Sequence, residues 1–479
     1  MGLSERVREL TRLAFFSGRN RLTLMGAALT TAAGVSLIGT WGLELVTQRS
    51  LGPYSGIICF ILLPGAFLVG LALIPLGILL ERRHQRKRGE LPHGYPKVDL
   101  GAAEVRKGIV FVAGATVLNL AIFGVAVSKG VEYSDSNAFC GQVCHTVMEP
   151  EYAAFQNSVH SRVGCAQCHI GQGAGWFVKA KLSGTRQLFA VLFHSYSRPI
   201  PSPVEALRPA RETCEQCHWP QKFVGDKLLV RTHYGEDEGS TPSTTVLLLK
   251  IGGRTWQGHA GIHGRHLDQG ARIQYVPADR ERRVISKVVY KDDRGQLVTY
   301  QGTETPASAR TEVREMDCVD CHNRPTHAFE LPEGAVDRAI NEGRISRELP
   351  FARKTAVGLL RADYPDRRSA ANAIPSGLQA FYLKNYPQVA AQKAELLAQA
   401  AQTLREIYLR NIFPDMKMGW GMHPSHIGHT TSPGCFRCHD GNHATPDGKT
   451  ITADCDACHT LLAQDETDPK VLKELGIKR

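Results

Sequence analysis

Six cysteine pairs, each followed at once by a histidine, constrain this chain more than any other feature. Five have two residues between the cysteines: Cys165 and Cys168 with His169, Cys214 and Cys217 with His218, Cys318 and Cys321 with His322, Cys435 and Cys438 with His439, and Cys455 and Cys458 with His459. In the sixth, Cys140 and Cys144 with His145, the spacing is longer by one residue. Two thiols and a trailing imidazole at this spacing are the attachment signature of c-type haem: the thiols add to the porphyrin vinyl groups and the imidazole comes up beneath the iron. Zinc ribbons also pair cysteines, but tetrahedral zinc does not require the adjacent histidine. Disulfides suit an oxidising compartment and do not require it either. Six haem c groups are therefore expected, five at the regular motifs and one at the stretched motif, whose alternative is a local disulfide. The thirteenth cysteine, Cys59, lies alone in an apolar run and reads as a packing residue.

All six motifs lie after residue 139, whereas the long apolar runs lie before residue 130. Residues 22–43, 56–80 and 109–128 are each long enough to cross a hydrocarbon core, which takes about 20 helical residues. Trp41 and Glu44 close the first run, and Pro64 and Pro75 interrupt the second. Orientation follows the basic residues. Arg6, Arg8, Arg12, Arg19 and Arg21 precede the first run. Arg82, Arg83, Arg86, Lys87, Arg88, Lys97, Arg106 and Lys107 fall in the 81–108 loop, and only Arg49 falls between the first two runs. The N-terminus (1–21) and the 81–108 loop are thus expected in the cytoplasm, with 22–128 as a three-pass anchor in a bacterial inner membrane and the remainder in the periplasm. The net charge of +11 fits basic residues held near lipid. No nucleic-acid motif accompanies it.

The six proximal ligands expected are His145, His169, His218, His322, His439 and His459. Eleven further histidines in the outer region form a surplus that suits bis-histidine, low-spin haems. His327 and His443 follow their nearest motifs too closely to wrap round the same ring, so each is expected to serve a neighbouring haem. The preferred distal candidates are His160, His327, His429 and His443, with His263 or His266 next and His233 and His194 weaker. Met148, three residues past His145, is a distal candidate for the first haem, since a thioether raises the haem potential; its alternative is a packing methionine.

The outer region divides into 129–218 with the first three motifs, 219–317 without cysteine, and 318–479 with the last three. Alternation and β-branched residues in 245–253, 271–276 and 283–300, with an Asp/Gly turn at 291–295, predict strands and a hairpin, hence a small β insertion. Residues 388–411 predict one long helix. The expected fold is three transmembrane helices plus a mostly α or irregular, haem-packed outer domain in which porphyrin replaces much of the side-chain core.

The segment from Cys140 through Met148, then His160, then Cys165 to His169, resembles the opening of the NapC/NirT quinol dehydrogenases, over roughly residues 109–220. Gly261 to His263, Cys321 to His327 and His426 through His443 resemble the larger inner-membrane cytochromes of that type. The resemblance implies a first haem beside a quinol site at the membrane surface, with a lysine and a carboxylate after the second motif. Lys179 and Lys181 are the lysine candidates. Residues 182–193 contain no acid, so the carboxylate does not carry over, and Glu44 is the candidate proton acceptor in its place. Three spans, six motifs and the stretched first motif also depart from the simplest members.

The expected function is oxidation of menaquinol or another membrane quinol at the periplasmic face, with electrons passed to a periplasmic cytochrome or terminal reductase in anaerobic respiration. The alternatives are a relay fed by a separate quinol-oxidising partner and a terminal haem reductase with an open iron site. The sequence leaves the oligomeric state open.

Overall fold

A computed structural model describes residues 20–47, 58–89, 103–171, 173–204, 207–253, 261–267, 273–291, 294–303 and 312–477. Arg6, Arg8, Arg12, Arg19, Arg49, Lys97 and His259 lie outside these residues. The chain divides into two compact units, Met1–Cys144 and His145–Arg479.

The first unit contains α1 (Arg21–Thr47), α2 (Leu63–Arg88) and α3 (Ala103–Ser134), each with a stretch long and apolar enough to cross a membrane. Lipid offers helices no hydrophobic drive to associate, so close backbone approach through small residues matters most. A Cβ on Gly26 would sit 2.8 Å from the Gly70 carbonyl oxygen, and one on Gly77 would sit 2.5 Å from Thr23 Oγ1. Thr30 Oγ1 returns its proton to the Gly26 carbonyl (2.9 Å), so the hydroxyl at this crossing is satisfied within its own helix. Ala33, Leu37, Phe67, Ile122 and Ala126 fill the space among the three helices. The third helix runs to Ser134, beyond the 128 read from hydropathy, because Lys129 and Glu132 pair along it (2.8 Å) and keep it helical.

The second unit opens with α4 (His145–Gln156), α5 (Cys165–His169), α6 (Ala174–Leu192) and α7 (Ala210–Cys214). Six strands and a short helix α8 (Ile262–His266) follow: β1 (Lys227–Tyr234), β2 (Pro242–Leu249), β3 (Ile273–Pro277), β4 (Ile285–Lys291), β5 (Leu297–Gln301) and β6 (Arg314–Glu315). Then come α9 (Cys318–Cys321), α10 (Pro332–Asn341), α11 (Ala352–Arg361), α12 (Arg367–Asn385), α13 (Pro387–Gln392), α14 (Ala394–Asn411), β7 (His459–Glu466) and α15 (Lys470–Glu474). One antiparallel sheet has the order β5-β4-β3-β6 and the other β1-β2-β7. The β insertion is therefore not closed: its second sheet takes an edge strand that begins at the last motif histidine, with Leu249 opposite His459.

One further expectation changes. The single helix over 388–411 is two, joined at Lys393, whose backbone N–H closes α13 on the Val389 carbonyl (2.8 Å). Residues 332–411 hold much of the outer unit's side-chain core. They form a helical bundle with its own side-chain core, in which Val336, Ile374, Leu378, Tyr382, Leu404 and Ile407 are buried. Each such aliphatic side chain contributes about 1.5–3 kcal/mol by leaving water. Asp366 caps α12 by accepting the Ser369 N–H (2.7 Å).

Candidate electron-transfer site

Each regular motif is built on a single turn: α5, α9, the turn that follows α7, or the 3-10 turns Gly434–Arg437 and Cys455–Ala457. The histidine N–H bonds to the first cysteine carbonyl at Cys214 (2.8 Å), Cys318 (2.8 Å) and Cys435 (3.1 Å). One turn thus gathers two thiols and an imidazole on one side. In the stretched motif, residues Phe139–Val143 form a π turn. That wider turn adds one residue per hydrogen-bonded ring and so absorbs the extra residue between Cys140 and Cys144.

The five regular motifs neighbour one another in chain order. Cys168 lies within electrostatic reach of Cys214 and Cys217. Cys214 and Cys318 are close neighbours, and Asp317 Oδ2 accepts the Ala210 N–H (2.7 Å). Arg437, inside the fifth motif, donates to the Asp320 carbonyl in the fourth (2.6 Å) and to the Arg282 carbonyl (2.8 Å). Cys458 senses the charge on Cys435. Asp320 anchors the fourth motif to the β3 sheet: its buried carboxylate accepts Tyr275 Oη (2.5 Å) and Arg282 Nη1 (2.7 Å).

Imidazoles face one another across five gaps. Ring centres are 6.0 Å apart for His160 and His218, 6.2 Å for His169 and His327, and 6.3 Å for His263 and His322. They are 5.9 Å apart for His266 and His439, and 6.3 Å for His429 and His459. Two metal–imidazole bonds of about 2 Å, with each ring centre roughly 1 Å behind its nitrogen, give about 6 Å. Each pair can hold one iron. In all five, one ring belongs to a motif and the other comes from elsewhere in the chain.

Hydrogen bonds set the ring orientation. Nδ1 of His160 donates to Pro325 O (3.1 Å), of His327 to Glu151 O (2.9 Å) and of His263 to Ile251 O (2.6 Å). His266 and His439 donate likewise to Ile262 O (2.8 Å) and Thr452 O (2.7 Å). A carbonyl can only accept, so Nδ1 carries the proton and the Nε2 lone pair is left for metal. Burial pushes the pKa values of His169, His266, His322 and His327 down, His327 to about 4. The neutral ring is the ligating form.

The backbone explains the pairings. His263 and His266 lie one turn apart on α8, and both face motif histidines, of adjacent motifs. Gly261 permits this: a Cβ there would sit 2.5 Å from the Lys250 carbonyl oxygen, against which α8 starts. Gly434 (φ 48°) has the same role for the segment bearing His429, since the Cys435 N–H bonds to Gly428 O (3.0 Å). His160 is held against the segment after the fourth motif, where Ser158 Oγ and Thr326 Oγ1 are 2.7 Å apart.

Other candidates are placed differently. His443 is buried with Nδ1 against Asp440 Oδ1 (3.0 Å) and Nε2 against Ile285 O (2.9 Å). Both nitrogens point at acceptors, so neither is left for iron, which corrects the expectation for this residue. Met148 lies on α4, three residues past His145. The side chain of His145 lies outside the described residues. His233 donates to Asp337 (3.2 Å), and His194 is exposed beside Tyr196. Lys179 and Lys181 lie on α6, their ammonium groups over the rings of Trp176 (4.6 Å) and Phe177 (5.0 Å). Glu44 lies on α1, its side chain outside the described residues. The structure also adds Glu151, and it gives a role to Asp320 and Arg437, the variable residues inside the fourth and fifth motifs.

Residues 103–200 match the model of the NapC/NirT cytochrome c family, N-terminal region. Over 466 residues the chain is 43% identical to cytochrome c-type protein ImcH of Geobacter sulfurreducens, covering 95% of this chain and 91% of that one. The chain belongs to the NapC/NirT family of membrane-anchored multihaem cytochromes c. A second relative is cytochrome c-type protein NrfH of Wolinella succinogenes, 29% identical over 110 residues, which are 22% of this chain and 62% of that one. No solved structure matches. For this NapC/NirT protein the cofactor is c-type haem, and the five facing pairs fit it in residue type and spacing.

Proposed function

We propose that this cytochrome draws electrons from membrane quinol at the periplasmic face and delivers them to a periplasmic cytochrome or terminal reductase. The observation that carries the reading is the set of five facing imidazole pairs on motifs that abut in chain order. On this reading, His160 and His218, His327 and His169, His263 and His322, His266 and His439, and His429 and His459 each hold one haem c, and Cys140, Cys144 and His145 hold a sixth. Haem iron with two imidazole ligands supplies one-electron transfer and leaves no position for a substrate. The protein's part is to hold the His160, His263, His266, His327 and His439 rings in one tautomer, keep His169, His266, His322 and His327 neutral by burial, and fix the spacing of successive motifs. Lys179 and Lys181 are the proposed quinol-facing cations, with Glu44 as proton acceptor. The three helices keep the outer unit on the bilayer, where the quinol pool is, and the basic 81–108 loop faces the cytoplasm.

The test is the purified full chain in lipid vesicles mixed with a menaquinol analogue. Rapid reduction of the haem absorption bands supports direct quinol oxidation. No reduction by quinol, with full reduction by dithionite, would leave the chain a relay. The ligand assignment is tested separately: His429→Ala should give one high-spin haem, and His443→Ala none.

A further inference from the structure

The last motif sits on a sheet edge with apolar side chains in solvent. Strand β7 starts at its histidine, His459, and is an edge of the β1-β2-β7 sheet, so its outer side meets no strand. Leu461 and Leu462 follow His459 closely and are 48% and 37% exposed. Phe436 is 44% exposed and stacks on His429 (4.3 Å), the ring that faces His459 across 6.3 Å. Exposed apolar groups thus flank both imidazoles of the last pair, along the chain at one and by stacking at the other.

The charge around them runs against that of the whole protein. Residues 440–468 contain seven Asp and Glu against one Lys, in a chain whose net charge is +11. All seven carboxylates are exposed. Asp440 and Asp468 face His443 and Lys473, but among the described residues no salt bridge takes Asp454, Asp456, Asp465 or Glu466. Lys250 reaches this edge to donate to the Asp456 carbonyl oxygen (2.5 Å). Residues 157–204 of the same unit are the converse, with five Lys and Arg and no acid. Acids on an edge strand discourage strand addition, which accounts for Asp465 and Glu466. It does not account for Asp454 and Asp456, which lie at the motif turn. A second copy of the chain fits badly, because a two-fold contact sets acid against acid. A lysine-rich surface fits: opposite charge steers the encounter, and the apolar centre gives it contact.

We infer that this surface, formed by β7, Phe436 and the carboxylates of Asp454, Asp456, Asp465 and Glu466, is where a basic electron-carrier protein docks, one with lysines around its own redox centre. The exchange is one electron per encounter, oxidising this chain and reducing the carrier. The inference rests on the outward delivery proposed above and adds where it occurs and what charge the recipient carries.

The test mixes the full haem-loaded chain, reduced with dithionite that is then removed, with mitochondrial cytochrome c, a soluble carrier with lysines around its haem edge. Stopped-flow absorbance reads the transfer, and a carbodiimide joins touching lysines and carboxylates for mass spectrometry. At low salt, the combined variant D454N, D456N, D465N and E466Q should react about tenfold more slowly, and added salt should slow it far less than the unaltered chain. A control with D363N, E395Q and E406Q, exposed on the bundle, should keep the rate of the unaltered chain. Cross-links in the unaltered chain should fall within residues 454–466, which locates the surface even where the variant loads haem poorly. Equal rates in the two variants, a rate in the unaltered chain that salt does not lower, or cross-links on bundle carboxylates instead would each overturn the proposal. Dithionite supplies the electrons, so a chain that quinol cannot reduce still gives both readouts.

Discussion

The bundle over 332–411 and the motif-bearing regions on either side of it solve the same problem with different materials. The bundle buries Tyr382, Leu404, Ile374 and their neighbours against one another. The motif regions have short turns, small apolar clusters and imidazoles held about a porphyrin's thickness apart. Their hydrogen bonds run mostly between side chains and backbone of distant segments, as at Pro325, Ile251 and Thr452. The difference teaches that a multihaem chain can keep an ordinary protein core in one place and leave the rest to covalent cofactor.

The largest test of that contrast removes the cofactor. With the cysteines of the five regular motifs changed to alanine, trypsin should digest the motif regions while a fragment containing 332–411 survives roughly 100-fold longer, because local stability follows local burial. Mass spectrometry of the fragments decides it, and equal digestion would erase the distinction. Next in size is Asp320→Ala. It strands the Arg282 guanidinium and Tyr275 hydroxyl that this carboxylate holds, and breaking a buried pair costs about 3–5 kcal/mol. Denaturant unfolding followed through the haem absorption should shift accordingly. In the bundle, Leu404→Ala should cost about 2–5 kcal/mol by circular dichroism while the haem spectrum stays unchanged. A spectral change there would mean that the bundle core and the motif regions are coupled.

The smallest effect is one of pH. Burial, with nearby arginines, pushes His423 and His426 down to about 4. Unfolded histidine titrates at about 6.5, so between these values the unfolded chain binds more protons. The stabilisation is therefore complete above pH 6.5 and is lost as pH falls toward 4. Unfolding midpoints at pH 7 and pH 5 should differ less for His426→Gln than for the unaltered protein. An unchanged difference would move the acid sensitivity elsewhere.

Local patterns carried much of this into the sequence. The motifs are contiguous residues, and the spans are runs of apolar ones, so both are legible without a fold. Strands β2 to β5 show their alternation, whereas β1 carries Arg231 and His233 among its apolar residues and does not read as a strand. Strand β7 is hidden because its first residue is the motif histidine His459. Distal ligands are legible only as a surplus. His443 looks favourable because it follows a motif closely, and only the fold shows Ile285 O and Asp440 facing its nitrogens. The sequence leaves His263 and His266 as alternatives; the turn between them lets each face a different motif.

The crossing of imidazoles between motifs also orders events in time. On the ligand assignment proposed above, the second motif waits for His327, which lies far downstream, and the fifth motif finds His266 already made. A chain exported from its N-terminal end would therefore carry its second porphyrin bonded on one side, with an exposed iron face, until the segment after the fourth motif arrives. Chains truncated before His327 would bind small diatomic gases at that haem, and the finished protein would not bind them there.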